Sequence, residues 1–193
     1  NVYLDTWKPI YPKELQDFVD YGGMNGGIYD NCPANMMLKK GYDKVYRVEL
    51  KGMGFKKKLI DKDKVITIIP TRKLSSTLTV NKKAITENFQ IGYFDTIKVL
   101  KNYPGERYIF KKSPNWYYDF VLKNVSDKDI LKYKTLFNVK DNKSLVIKLI
   151  EYAMEKDEVT YFNIYSLNKM IKKYKNSNQK YGIYRVIKDF KSF

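Results

Sequence analysis

The sequence predicts an α/β region followed by a helical extension, and three observations carry this. Two β-branched runs of strand length, residues 44–50 and 65–69, lie between glycine and proline punctuation. The apolar period then changes to that of a helix, with Ala84, Ile85, Phe89, Gly92, Tyr93, Ile97 and Leu100 in register over residues 81–102. Beyond residue 113 the chain is basic, patterned for helices, and free of glycine until Gly182. The boundary is drawn there, with residues 1–112 forming the α/β portion and residues 113–193 the extension.

In chain order, Pro9, Pro12 and scattered aromatics make residues 1–21 irregular, with one short helix at 14–18. Gly22, Gly23, Gly26 and Gly27 form a tight, shaped loop, since glycine tolerates positive φ and admits close neighbours. Pro33 suits a first helical turn, residues 34–40 read as a helix, and Gly41 stops it. The two strands and the long helix follow. Pro104-Gly105 breaks that helix, and residues 107–110 are a short strand. Helices are expected at 114–123, 127–137, 144–156 and 164–174, with a last one from Tyr184. Ser126 ahead of Asp129, and Asn142 ahead of the apolar run 145–149, read as N-terminal caps.

Composition excludes several classes. The 193 residues are 44% apolar and 30% charged, which rules out wholesale disorder. No apolar run approaches the roughly 18 residues a membrane-spanning helix needs. The first twenty residues show no signal-peptide pattern. A cytoplasmic or peripheral-membrane protein is therefore expected. One cysteine, Cys32, permits no internal disulfide, and the lack of histidine removes any Ser-His-Asp mechanism supplied by this chain. The net charge of +16 attracts anionic partners, acidic membrane or nucleic acid. Only Arg47, Arg72, Arg107 and Arg185 carry the bidentate fork that nucleic-acid readers favour, which argues against nucleic acid.

Residues 24–50 carry the chemistry: Met-Asn-Gly-Gly-Ile-Tyr-Asp-Asn-Cys-Pro, then a short helix, a glycine and an apolar strand. This stretch resembles the one that follows the catalytic aspartate in patatin-like phospholipases. There, Asp-Gly-Gly or Asp-Gly-Ala precedes a Tyr-Asn or Tyr-Asp-Asn and a proline. The likeness extends through residues 65–70 and Phe89-Gln90-Ile91-Gly92-Tyr93-Phe94-Asp95, covering about residues 20–102. The run from Gly26 to Pro33 is its specific part.

The resemblance implies an α/β sandwich of a central sheet with flanking helices, of which this chain holds the C-terminal portion. It also implies a lipid acyl hydrolase, a serine esterase that cleaves phospholipid or another lipid ester through a Ser-Asp dyad, with no metal or cofactor. A carboxylate in hydrogen-bond reach of a serine hydroxyl can act as its general base. Gly26 and Gly27 then belong to the active-site loop, while Asp30 and Asn31 brace it through backbone bonds.

Two departures matter. The dyad aspartate's position holds Asn25, whose neutral amide accepts no proton, so the chain as written is expected to be inactive. Natural loss of the base and a deliberate substitution both give this residue. Asp20 does not replace it, because its spacing to Ile28-Tyr29-Asp30-Asn31 is wrong. Second, no serine is flanked by glycines as Gly-x-Ser-x-Gly requires. In the family that elbow lies N-terminal to the Asp-Gly-Gly motif, so the nucleophile is expected upstream of Asn1, in a longer chain.

Among the remaining features, Cys32 and Met36-Met37-Leu38 read as core. Lys169, Lys172, Lys173 and Lys175 form a basic helix face, solvated or docked on anionic membrane. A non-catalytic basic binding protein for acidic membrane or nucleic acid is the alternative function.

Overall fold

About half of the chain is helical and its strands are few, short and parallel, in a mixed α/β arrangement. The computed structural model describes residues 30, 32–50, 56–75, 81–179 and 181–192. The expected helix at 14–18 and the glycine loop at 22–27 lie outside these. Packing divides the chain into two units, Asn1–Lys73 and Leu74–Phe193.

The first unit contains α1 (Ala34–Lys39), β1 (Val45–Val48) and β2 (Val65–Ile68). Pro33 precedes the helix, as its fixed φ allows. Gly41, at φ +89°, takes the left-handed conformation that reverses the chain toward β1. The strands pair in parallel, from Val45 opposite Val65 to Val48 opposite Ile68. Their carboxyl ends therefore share one edge. Of α1 only Ala34 is buried; Met36, Met37 and Leu38 are half-buried and do not form a closed core.

The second unit opens with α2 (Lys82–Lys101). Asn81 caps it by accepting the Ala84 N–H at 2.8 Å, and Asn102 closes it in the left-handed conformation at φ 50°. After the Pro104-Gly105 break come β3 (Ile109–Phe110), α3 (Asn115–Leu122), α4 (Asp127–Phe137) and α5 (Asn142–Lys156). Then follow β4 (Ile164–Tyr165), α6 (Leu167–Lys175) and α7 (Ile183–Lys188). Helix α5 is central. Its Val146, Leu149, Ile150, Ala153 and Met154 are fully buried against α3, α6 and α7. Tyr108 and Phe110 enter the same core, so these two residues ahead of position 113 pack with the helices that follow them.

Two local expectations need correction. The cap of α5 is Asp141, whose carboxylate accepts the Ser144 N–H at 2.8 Å. Asn142 is already the first helical residue, and its amide donates to Asp119 Oδ1 at 2.7 Å. The helix expected from residue 164 begins instead at Leu167. Ile164 and Tyr165 pair in parallel with Ile109 and Phe110, and Ser166 caps the helix after them. The apolar period across 164–174 carries no sign of a strand partner some fifty residues away. Elsewhere Ser126 caps α4 through the Asp129 N–H as expected. No described helix is long and apolar enough to cross a membrane.

Candidate functional site

Of the residues singled out from sequence, Asn25, Gly26, Gly27 and Asn31 lie outside the described residues, and Asp30 lies within them. Asp30 is 6% exposed, and its Oδ1 accepts the backbone N–H of Cys32 at 3.1 Å. This is an Asx turn, in which a short carboxylate replaces a backbone acceptor. Cys32 Sγ lies 3.5 Å from the Val48 carbonyl as its donor, and the Cys32 carbonyl accepts the Ala34 N–H at 2.7 Å. Cys32, with Asp30 bonded to its N–H, is thereby seated against the last residue of β1, on the carboxyl edge of the parallel pair.

Neighbouring contacts fix that edge. Asn35 on α1 donates its amide to the Lys58 carbonyl at 2.8 Å and accepts the Ile60 N–H at 3.0 Å. The Glu49 N–H continues the ladder to the Ile68 carbonyl at 2.9 Å. Beside the loop lies a charge cluster. Glu49 receives Arg47 Nη2 at 3.1 Å and also pairs with Lys56, with Arg47 and Glu49 both mostly buried. Burial pushes the Cys32 thiol up from its ordinary range; Arg47 opposes this, while Glu49 and Asp30 reinforce it. The thiol is thus held protonated, and the cluster does not make a nucleophile of it.

Serine–aspartate pairs do occur among the described residues, and their setting decides what they do. Ser126 Oγ donates to Asp129 at 2.8 Å, and Ser144 Oγ to Asp141 at 2.7 Å. Both are helix caps. The Ser144 N–H, foremost, draws the Asp141 carboxyl below its ordinary value, which makes it a poorer base. No glycine elbow lifts either serine. Among the described residues no group of three or more Cys, Asp or Glu side chains could hold a metal ion.

Several basic residues are engaged. Lys173 pairs with Asp157 at 3.5 Å, Lys175 donates to the Phe190 carbonyl, and Lys169 and Lys172 are exposed. Arg107 pairs with Glu155, and Arg185 makes a two-contact bond to Asp129 at 2.8 and 2.9 Å.

Sequence reasoning missed Glu151, which is 2% exposed in the second unit. Its Oε1 accepts three backbone N–H groups, from Glu106 at 2.7 Å, Arg107 at 2.8 Å and Tyr108 at 3.0 Å. Burial raises its pKa, and these N–H bonds pull against the rise. The available signal was a lone acid amid Ile147, Leu149, Ile150, Ala153 and Met154. No family model, curated protein or solved structure matches this chain.

Proposed function

We propose that this chain is the C-terminal part of a patatin-like lipid acyl hydrolase, inactive as written because asparagine occupies the position of its general base. The observation that supports this most is the seating of Asp30 and Cys32 on the carboxyl edge of parallel strands β1 and β2. In open α/β sheets that edge is where ligands bind and chemistry occurs. Residue 25 lies five positions before Asp30. A second support is the exposed apolar pair Tyr46 and Val48 along β1, with Leu50 just beyond it. Parallel sheets are buried on both faces, so these residues suit a larger α/β layer.

In this reading a serine outside residues 1–193 attacks the ester carbonyl, and its proton passes to the carboxylate that belongs at position 25. Collapse of the tetrahedral intermediate breaks the ester bond, and the leaving alcohol takes that proton. Water then hydrolyses the acyl-serine with the same carboxylate as base. Asparagine at position 25 stops the cycle at its first proton transfer.

The test is Asn25→Asp in a protein that also carries the serine-bearing segment, with fatty-acid release from phospholipid vesicles as readout. Hydrolysis that appears only with aspartate supports the reading. No hydrolysis from a folded Asn25→Asp protein that contains the serine refutes it.

Exposed Lys169 and Lys172 favour a contact with anionic membrane through the extension. Co-sedimentation with vesicles should then require anionic lipid and fall with salt; equal binding to neutral vesicles would sink it. Nucleic-acid binding fits less well, because Arg47, Arg107 and Arg185 are already paired with carboxylates.

A further inference from the structure

We infer that the cleft beside Glu151 is a binding site for a neutral, polyhydroxylated ring of hexose size. This stands apart from the hydrolase reading and rests on the second unit alone. The cleft has a volume of about 510 Å³, within the range of small-molecule sites, about 300–1,000 Å³. Its walls come from the 104–106 turn, the end of α4 and one face of α5.

Two features select the ligand class. First, the charges that line the cleft cancel. Lys143 and Lys148 line it together with Glu106 and Glu151, and Lys148 is paired with Glu106. Neither an anion nor a cation is strongly favoured. Second, apolar and hydrogen-bonding groups are interleaved: Phe137, Val139 and Ile147 stand beside Asn138, Ser144 and Glu151. A sugar ring or inositol offers the matching surface, with C–H faces for the apolar wall and hydroxyls at its rim.

Glu151 supplies the specific contact. Oε1 is saturated by three N–H groups, while the buried Oε2 has no partner. A buried carboxylate oxygen without a partner is costly, and a ligand hydroxyl would remove that cost. Glu106 donates its own N–H to Glu151 Oε1, and Lys148 lies one helical turn before Glu151, so their ion pair stands beside this carboxylate. The Glu106 side chain is 66% exposed, and a solvated pair of this kind opens at little cost. The ligand hydroxyl reaches Oε2 as the pair swings out.

The experiment is a calorimetric titration of the full 193-residue chain with D-glucose, D-galactose and myo-inositol, plus inorganic phosphate as the anionic control. At least one polyol should saturate with a dissociation constant of about 1 mM. Glu151→Gln keeps a carbonyl for the three N–H groups and turns the other atom into a donor. It should weaken binding about tenfold. Ser144→Ala, on the cleft wall, should weaken it several-fold, and it carries the test if Glu151→Gln fails to fold.

Neutral phosphatidylcholine vesicles with and without a monoglycosyl lipid distinguish a free sugar from a lipid headgroup. Binding of either form supports the inference. It is overturned if neither binds, if phosphate binds more tightly than every polyol, or if affinity is unchanged in all folded variants.

Discussion

Replacing Glu151 by alanine tests the main structural argument about the second unit. The side chain ties the 106–108 backbone to α5 through one oxygen, at 2.7, 2.8 and 3.0 Å. Tyr108 is fully buried, so its N–H cannot turn to water, and losing its acceptor costs about 1–3 kcal/mol. Glu106 and Arg107 are exposed, and water replaces their acceptor at about 0.5 kcal/mol each. The cavity left by truncation adds about 1 kcal/mol. Relief of the buried charge returns about the same amount. The net expectation is a loss of about 2–4 kcal/mol, large for a single substitution.

Guanidinium unfolding followed by circular dichroism at pH 7 gives the number, with an unchanged m-value as the check that only stability moved. Glu151→Gln retains an acceptor and should lose less than about 1 kcal/mol. If Glu151→Ala unfolds within about 0.5 kcal/mol of the parent, the three bonds do not hold the turn and the reasoning fails. A glutamine variant as damaged as the alanine one would mean that charge, rather than the acceptor, matters.

The pH dependence has a fixed sign. Burial raises the folded-state pKa of Glu151 above its ordinary 4.5, so the folded chain holds that proton longer than the unfolded chain. The stability of the parent relative to Glu151→Gln therefore falls as pH rises through 4.5, and levels off above the raised folded value.

Three further outcomes are expected. Asp141→Ala should cost about 1 kcal/mol by uncapping α5; the cap's benefit is present above pH 3.8 and fades as pH falls through the lowered folded value, which acid titration of both proteins would show. Cys32 should react with iodoacetamide at pH 8 more slowly than an unfolded-chain control, because burial raises its pKa from 9.0; mass spectrometry of the adduct measures it, and an equal rate contradicts the placement of Cys32 against Val48. Tyr117 is pushed up to about 12 by burial, so Tyr117→Phe should remove one tyrosine's amplitude from the late phase of an alkaline absorbance titration and leave the earlier phase intact.

Much of the local structure was legible because local rules wrote it. The helical period of residues 81–102 closely anticipates Lys82–Lys101, and the run 127–137 matches Asp127–Phe137 residue for residue. Gly41 turns left-handed where a helix stop was read, and Ser126 caps where Asp129 follows. Each depends on contacts within about one helical turn, which sequence spacing records.

What failed was non-local. Ile164 and Tyr165 satisfy a helical period, yet backbone pairing with Ile109 and Phe110 makes them a strand. Asp141 displaces Asn142 as the cap through the backbone angles at that one residue. In the candidate site, an Asx brace at Asp30 was readable from residue type, but its position at the carboxyl edge of β1 was not. That position depends on Cys32 meeting Val48 sixteen residues later.

The sequence by itself determined the class of most of the described segments, the excess of positive charge, and the absence of histidine chemistry. Tertiary structure decided that β1 and β2 run parallel, that Glu151 is buried with three N–H groups on one oxygen, and that Arg47, Arg107 and Arg185 are already paired. The physical reason is range. Propensity, periodicity and capping act between neighbours in the chain, whereas burial of a charge or pairing of a strand is settled by residues that only folding brings together.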